Sequence, residues 1–352
     1  MKYVLECVLC GEKHPSSYKK QVCSKCGGIL EVVYTEKAPR VKGSGRFWDY
    51  ESVLPECNYK HYEIGSTRLI RSHDQSNVFL KLETDNPTKS FKDRGSIIEV
   101  SKALEYQKRE IAVASTGNMA YSIAYYAKLA GLKVKTFISI GANRNKIKDI
   151  RSEGDSRMDF VTGDFTKAQR LAENYARKSG AFLAGDYCYR KEGQKTTAYE
   201  IIDQMPGVTH IVVPVGNATL ISGIFKALKE MQSAGRIRRF PKLIAVQSKG
   251  SDPLITAFNE NRKIRYTEPK TKADAIAVGF PTFGDEAIEA LRATHGKAIS
   301  VTDEELEKER NAFYESYGFV AELAGVAGIA AIRKTSFGSN AKVVSIVSGG
   351  NV

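Results

Sequence analysis

Short apolar runs alternate with amphipathic stretches along most of the chain. The runs that predict buried strands include IAVAS (111–115), VKTFISI (134–140), THIVVPVG (209–216) and KLIAVQS (242–248). Between such runs, segments such as DFTKAQRLAENYARKSG (164–180) repeat their apolar residues with the spacing of a helix. Strands that alternate with helices imply parallel sheets covered on both faces. We therefore predict an α/β fold with two open, twisted parallel-sheet domains.

Three loops of small and polar residues follow predicted strands. They are STGN (115–118), GNATL (216–220) and SGGN (348–351). Ligands of open α/β sheets bind beyond the carboxyl ends of the strands, where these loops lie. GNATL and STGN precede predicted helices, so their amides suit a phosphate or a carboxylate, although each loop alone fits simple helix capping equally well. The small residues of SGGN permit the close approach of a flat ligand.

Composition and charge narrow the class of protein. The chain has 352 residues, 42% of them hydrophobic and 26% charged, as in soluble globular proteins of two domains with a small appended module. The net charge is +13, but its basic residues are interspersed with acids, and only RIRRFPK (236–242) is dense. A solvated face is favoured over a nucleic-acid groove. The amino terminus lacks a secretory signal, and ELAGVAGIAAI (322–332) is too short to span a bilayer. We expect a cytoplasmic protein without nucleic-acid or membrane partners.

Four of the six cysteines occur as two pairs near the amino terminus. Cys7 and Cys10 form one C-x-x-C pair, and Cys23 and Cys26 form the other. Two such pairs complete a tetrahedral zinc site, and glycines follow each pair where the backbone must turn. We predict a zinc ribbon over residues 1–36 with a structural Zn²⁺. A zinc ribbon on a basic chain also leaves open a nucleic-acid-binding protein with a vestigial enzyme core.

The segment NPTKSFKDRG (86–95) contains two lysines three residues apart. Ser90 fits a helix N-cap with Asp93 as its capping-box partner, which places Lys92 in the first turn of a helix. The positive end of the helix dipole disfavours a cation and lowers the pKa of an amine, as Schiff-base chemistry requires. An ordinary solvated lysine satisfies the same spacing.

Several sequence blocks together resemble the threonine synthase family, which are pyridoxal-phosphate (PLP) enzymes of fold type II. The blocks are FKDRG (91–95), ASTGN (114–118), GQKTTAYEI (193–201), VPVGN (213–217) and AVQSKGSDP (245–253). The amino-terminal cysteine pairs also resemble the ribbon of archaeal-type members. The resemblance implies a homodimeric carbon–oxygen lyase that acts on a phosphorylated amino acid. Its expected domains are the ribbon (1–36), a large PLP-binding domain (37–95 and 187–352) and a small domain (96–186).

The resemblance also implies a role for individual residues. Lys92 forms the Schiff base with PLP and shuttles protons, Asn118 bonds the phenolic oxygen of the cofactor, and Ser348 faces the pyridine nitrogen. The cofactor phosphate is cradled by Gly216, Asn217, Ala218, Thr219 and Leu220. The substrate carboxylate is held by Ser115, Thr116 and Gly117, and its phosphate by Arg190.

Departures from the family pattern lie on the substrate side. Lys89 replaces a glycine, Arg68 replaces a proline, and Ala184 and Gly185 replace an Asn-Ser pair that helps to bind phosphate. In one hypothesis the protein converts O-phospho-L-homoserine and water to L-threonine and phosphate, with Lys89, Arg68 and Arg190 compensating for the lost donors. In the other, the same scaffold performs β-elimination or β-replacement on another amino acid, as a serine or threonine dehydratase or a phosphoserine-using synthase does.

Overall fold

The computed structural model describes residues 1–59, 61–115, 117–140, 144–153, 156–162 and 165–351. Strands and α-helices alternate along most of this part of the chain. The strands are β1 (Tyr3–Cys7), β2 (Lys13–Pro15), β3 (Leu30–Tyr34), β4 (Leu69–Arg71), β5 (Val78–Leu82), β6 (Glu110–Ala114), β7 (Lys133–Ser139), β8 (Ser156–Val161), β9 (Phe182–Ala184), β10 (His210–Pro214), β11 (Lys242–Ser248), β12 (Lys297–Val301) and β13 (Val343–Val347). The helices are α1 (Lys92–Glu105), α2 (Asn118–Leu129), α3 (Arg144–Ser152), α4 (Phe165–Ser179), α5 (Cys188–Gln194), α6 (Thr196–Gln204), α7 (Thr219–Ser233), α8 (Pro253–Asn259), α9 (Gly284–Ala293), α10 (Asp303–Tyr317) and α11 (Leu323–Arg333).

The first compact unit contains two sheets. It comprises Met1–Pro39, Glu51–Ile64 and Lys92–Gln194. The amino-terminal sheet is antiparallel with the order β2-β1-β3, and the larger sheet is parallel with the order β8-β7-β6-β9. Helix α4 packs on the parallel sheet through Ala168 and Ala172, which are one helical turn apart and meet Phe137. The helical spacing of these apolar residues therefore places them on one face of the helix, and that face packs on the sheet.

The second compact unit contains a six-stranded sheet. It comprises Arg40–Tyr50, Gly65–Phe91 and Lys195–Val352. The strand order is β12-β11-β10-β13-β5-β4, and only the edge strand β4 pairs antiparallel within this sheet. Helix α11 lies close against the sheet because its small residues leave room. A Cβ atom on Gly328 would collide with the Ser345 hydroxyl and lie 3.4 Å from Val212.

The predicted α/β fold with parallel sheets is confirmed. Strand β11 spans the residues that the pattern predicts, and most other predicted elements differ from the structure by one to three residues at their ends. Strands β4, β5 and β9 did not stand out in the apolar pattern. In β5 the apolar run is broken by Lys81, which is fully buried and bonded to Glu200 at 2.7 Å. A partner so distant in sequence is invisible to a local pattern.

The observed units divide the chain at different points from the expected domains. The part of the first unit after residue 91 runs from Lys92 to Gln194, whereas the small domain was expected over 96–186. The difference arises because the start of α1 and all of α5 pack against each other. Neither unit contains a described helix that is long and apolar enough to cross a membrane.

Candidate active site

Lys92 is the first residue of α1 and is partly exposed. The three residues before it pair with the chain after β13. Ser90 forms an antiparallel bridge with Gly349, the Phe91 amide donates to the Ser348 carbonyl at 3.1 Å, and the Gly350 amide donates to the Lys89 carbonyl at 2.9 Å. The helix thus begins directly after a segment whose backbone is fixed by hydrogen bonds. The structure places Ser90 in that bridge, two residues before the helix.

Lys89 has the left-handed backbone conformation, with φ of +59°. Glycine adopts this conformation without a steric penalty, whereas a residue with a Cβ loses roughly 1 kcal/mol. The glycine that the resemblance leads us to expect at this position would carry no such penalty. The Lys89 side chain is exposed, and among the described residues none forms an ion pair with its ammonium group. The departure at Lys89 therefore leaves a free cation at a strained position.

Arg190 is fully buried, and protein groups surround its guanidinium. Nε donates to the Gly185 carbonyl at 2.9 Å, and Nη1 donates to the Lys92 carbonyl at 3.3 Å. Nη2 donates to the Ser96 hydroxyl at 3.3 Å and to the Glu99 carboxylate. The sequence predicted that Arg190 holds a substrate phosphate. In this structure the same group is bonded to Glu99, a residue that no sequence motif singles out. The one local signal was a charge within the apolar stretch IIEV (97–100).

Glu99 is as buried as its partner, and this changes its protonation. Burial raises the pKa of Glu99 to about 7, and the charge of Asp186 acts in the same direction. Arg190 and the Gly185 amide, which donates to Glu99 at 2.9 Å, oppose this rise. The desolvation of the carboxylate outweighs the attraction of its counter-ion.

The loop after β6 leads directly into α2. Asn118 is the first residue of the helix, Gly117 precedes it, and the Gly117 amide donates to the Ser115 hydroxyl at 3.3 Å. Ser115 and Asn118 are both buried. Thr116 lies outside the described residues. The structure therefore places three of the four predicted residues of this loop at a helix start, where the first amides lack partners within the helix.

The five residues predicted to cradle a phosphate span the end of the loop between β10 and α7, which holds Gly216, Asn217 and Ala218, and the first turn of α7, which holds Thr219 and Leu220. Ala218 precedes the first helical residue, Thr219, and has a φ of +65°. A left-handed residue directly before a helix turns successive amides toward one point, which suits an anion. The loop is supported from outside, since the Asn217 carbonyl accepts the Phe283 amide at 3.0 Å and a Cβ atom on Gly216 would lie 3.1 Å from the Ala275 carbonyl. The residues present fit the phosphate of PLP.

Ser348 follows the last residue of β13 and is buried. Its hydroxyl donates to the Ala324 carbonyl at 3.4 Å, a long contact that a hydroxyl gives up easily by rotation. The backbone beside it approaches α11 closely, because a Cβ atom on Gly325 would lie 2.5 Å from the Gly349 carbonyl. Because Gly325 and Gly349 have no side chains, the backbone of α11 comes close to the end of β13. The Ser348 hydroxyl lies next to this close approach.

Arg68 has a different environment from the one that the sequence suggested. Its guanidinium contacts both carboxylate oxygens of Asp85, at 2.9 and 2.8 Å, and its amide also donates to Asp85 at 2.9 Å. A proline at this position would lack that amide. The arginine joins the residue before β4 to the turn after β5, and its charge is already paired.

The four amino-terminal cysteines converge. The sulfur atoms of Cys7, Cys10, Cys23 and Cys26 all lie within 4.8 Å of one another. Sulfurs about 3.8 Å apart are expected for tetrahedral zinc with bonds of about 2.3 Å. The Gly11 amide donates to the Cys7 carbonyl and the Gly27 amide to the Cys23 carbonyl, both at 2.9 Å, and both glycines have positive φ. The two turns are therefore equivalent, and the four sulfurs fit a closed tetrahedral metal site.

Comparison with known proteins identifies the class. The family described as "Pyridoxal-phosphate dependent enzyme" matches residues 61–349, and the chain belongs to this family. The threonine synthase of Methanosarcina acetivorans is 32% identical over 99% of this chain and 91% of its own length. That of Methanocaldococcus jannaschii is 31% identical over 93% and 86%.

Solved structures support the fold. Maize serine racemase has a TM-score of 0.71 at 24% identity, covering 81% of this chain and 88% of its own. A pyridoxal 5'-phosphate-dependent aspartate racemase has a TM-score of 0.72 at 24% identity, covering 81% and 90%. At this identity the likeness shows the fold alone, which is the PLP fold type II expected from the sequence.

The raised pKa of Glu99 predicts how stability depends on pH. A carboxyl group with a pKa near 7 when folded and near 4.3 when unfolded binds more protons in the folded state between those values. Its contribution is complete below pH 4 and is lost as the pH rises through 7. We expect the melting temperature of Glu99→Gln to gain several degrees on that of the wild type between pH 5 and pH 8. If the melting temperature of Glu99→Gln instead fell relative to that of the wild type between pH 5 and pH 8, Arg190 would lower the pKa of Glu99.

Proposed function

We propose that the protein is a threonine synthase, which converts O-phospho-L-homoserine and water to L-threonine and phosphate. One observation carries the proposal: curated relatives at 31–33% identity over most of both chains, from archaea and bacteria, are threonine synthases. The reaction removes protons from the α- and β-carbons, breaks the bond between the γ-carbon and the phosphate oxygen, places a proton on the γ-carbon, adds the hydroxyl of water at the β-carbon and returns a proton to the α-carbon. Phosphate leaves with the electron pair of the broken bond.

Each candidate residue has a proposed task in this reaction. PLP, when bound, supplies an electron sink that makes the α-proton acidic. Lys92 would hold the cofactor through its amine, which would then take and return protons. The amides of residues Gly216–Leu220 would bind the cofactor phosphate, Asn118 would bond its phenolic oxygen, and Ser348 would contact its ring nitrogen. Ser115, Thr116 and Gly117 bind the substrate carboxylate.

A second candidate reaction is β-elimination or β-replacement on another amino acid. The observation that favours it is the environment of Arg190, whose charge is neutralised by a buried glutamate rather than left free for a phosphate. Phosphate binding then rests on fewer cations than the resemblance implies.

Lys89 is the cation that remains for this purpose, and we propose that it contacts the substrate phosphate.

We also propose that the four cysteines bind one structural zinc ion. Four thiolates fill the tetrahedral coordination shell, so no position remains for a substrate. The homodimeric state, the cytoplasmic location and the absence of nucleic-acid and membrane partners stay predictions.

The reaction is tested with a panel of substrates. We expect the purified protein with PLP to form threonine and an equal amount of phosphate from O-phosphohomoserine, and little product from O-phosphoserine, serine or threonine. It should absorb at about 410–420 nm, the band of PLP carried on a lysine. Lys92→Ala should lose both the band and the activity. Ketoacid formed from serine or threonine would establish the second candidate, and a chain that stays colourless and retains nucleic acid in a salt-dependent manner would overturn both.

Replacing Lys89 separates its strain from its charge. Lys89→Gly should raise the melting temperature by a few degrees because glycine relieves the positive φ. It should also raise KM for O-phosphohomoserine about tenfold or more, because a charge-assisted hydrogen bond contributes roughly 1.5–3 kcal/mol. The control is His295→Gly, since His295 is an exposed residue with a φ of +49°. It should raise stability similarly and leave KM unchanged. An unchanged KM in Lys89→Gly would show that Lys89 does not contact the phosphate.

The metal is tested by elemental analysis. One equivalent of zinc per chain is expected, and Cys23→Ser should lower both the zinc content and the melting temperature. Cys57→Ser is the matched control, because Cys57 lies outside the group of four sulfurs. Zinc content that is unaffected by Cys23→Ser would contradict the assignment.

A further inference from the structure

Helices α1 and α5 cross in backbone contact. A Cβ atom on Gly193 would collide with the Arg94 carbonyl and lie 2.9 Å from the Cα atom of Gly95. A Cβ atom on Gly95 would lie 2.6 Å from Cγ of Arg190. The two glycines therefore create the space through which the Arg190 side chain runs along the first turn of α1.

The contacts of Arg190 leave little capacity for a ligand. Nε, one N–H of Nη1 and both N–H groups of Nη2 find acceptors in Gly185, Lys92, Ser96 and Glu99, which uses four of the five donors of a guanidinium. When it is ionised, Glu99 neutralises the charge of Arg190, and its carboxylate would then repel a phosphate that came close to the same guanidinium. The hydrogen bonds of this buried arginine therefore go to groups of the protein itself.

The opposite side of α5 is held by the amino-terminal sheet. The Tyr189 hydroxyl lies 3.0 Å from the Tyr3 hydroxyl, Lys191 forms an ion pair with Glu31, and Glu192 accepts a hydrogen bond from Tyr34. These three residues flank Arg190 in the sequence, and their partners lie on β1 and β3. Helix α5 is thus anchored on the ribbon side while Arg190 reaches α1. A rotation of the Arg190 side chain toward a ligand would break its contacts with α1, and a movement of α5 as a whole would also break the contacts with the ribbon.

We propose that Arg190, with Glu99 as its counter-ion, is a positioning residue that holds the main chain at Lys92 and does not bind the substrate phosphate. The contact that carries this is the hydrogen bond from Nη1 to the Lys92 carbonyl. It fixes the peptide unit next to the Cα atom from which the reactive amine extends. The proposal rests on the role of Lys92 given under the proposed function, and it adds Arg190 and Glu99 to the residues that set the position of this amine.

The test compares Arg190→Gln, Arg190→Lys and the double variant Arg190→Gln/Glu99→Gln in the full chain, with and without PLP. The double variant avoids leaving Glu99 buried and unpaired, which would threaten folding. We expect amide hydrogen exchange at residues 92–96 to rise about tenfold or more in Arg190→Gln and in the double variant. We expect kcat to fall at least tenfold while KM for O-phosphohomoserine and inhibition by inorganic phosphate change less than threefold. Arg190→Lys keeps the charge but lacks the several planar donors of the guanidinium, so it should restore only part of the protection from hydrogen exchange.

Arg236→Gln is the matched control. Arg236 also forms an ion pair with a buried carboxylate, that of Asp203, but in the second compact unit. It should lower the melting temperature and leave both kcat and exchange at residues 92–96 unchanged.

Two results would overturn the proposal. One is unchanged exchange at residues 92–96 in the folded double variant. The other is a large rise in KM and in the inhibition constant of phosphate with kcat preserved, which would make Arg190 a phosphate ligand. Because hydrogen exchange needs no substrate, it remains informative if the protein proves to act on another amino acid, so failure of this proposal and of the proposed reaction are distinguishable.

Discussion

The crossing of Gly95 and Gly193 sets the geometry of the first compact unit. Two helices that meet at glycines approach until their backbones touch, and side chains at the neighbouring positions must then share a narrow space. Arg190 and Glu99 fill that space as a buried ion pair. Removing either side chain would leave the other buried without its partner, and the desolvation of one ion costs several kcal/mol. The two glycines, in the blocks FKDRG and GQKTTAYEI, thus have a physical reason to occur together with a buried pair of opposite charges.

In the second unit, too, a buried pair of opposite charges holds loops in place. Lys81 is buried on β5, next to the edge strand of the sheet, and its ammonium is satisfied by Glu200, by the Thr67 carbonyl and by Gln204. Glu200 in turn accepts the Ser66 amide at 3.1 Å. A single buried lysine therefore joins strand β5, helix α6 and the loop before β4. In both units, polar groups that are expensive to bury gain specific partners, and those partners determine where loops and helix ends lie.

The sequence predicted best what depends on local physics. Apolar runs located the strands β6, β7, β10, β11 and β13, and polar residues after them located the loops at 115–118 and 216–220. The turns of the cysteine pairs also followed from spacing, since glycines with positive φ close them. Compensation between residues far apart in sequence was out of reach. Strand β5 was missed because Lys81 interrupts its pattern, and Glu99 was missed because its partner lies 91 residues away.

Charge compensation also decides which departures from the family pattern matter. The sequence suggested three extra or retained cations for an anionic substrate, but Asp85 pairs with Arg68 and Glu99 pairs with Arg190. A cation that already has a close carboxylate attracts a phosphate weakly, since the approaching anion meets both charges. Lys89 differs because its side chain is exposed and its backbone conformation costs stability that glycine would not. A residue kept at such a cost is more informative about specificity than a paired arginine, because its only evident gain is the charge that it presents.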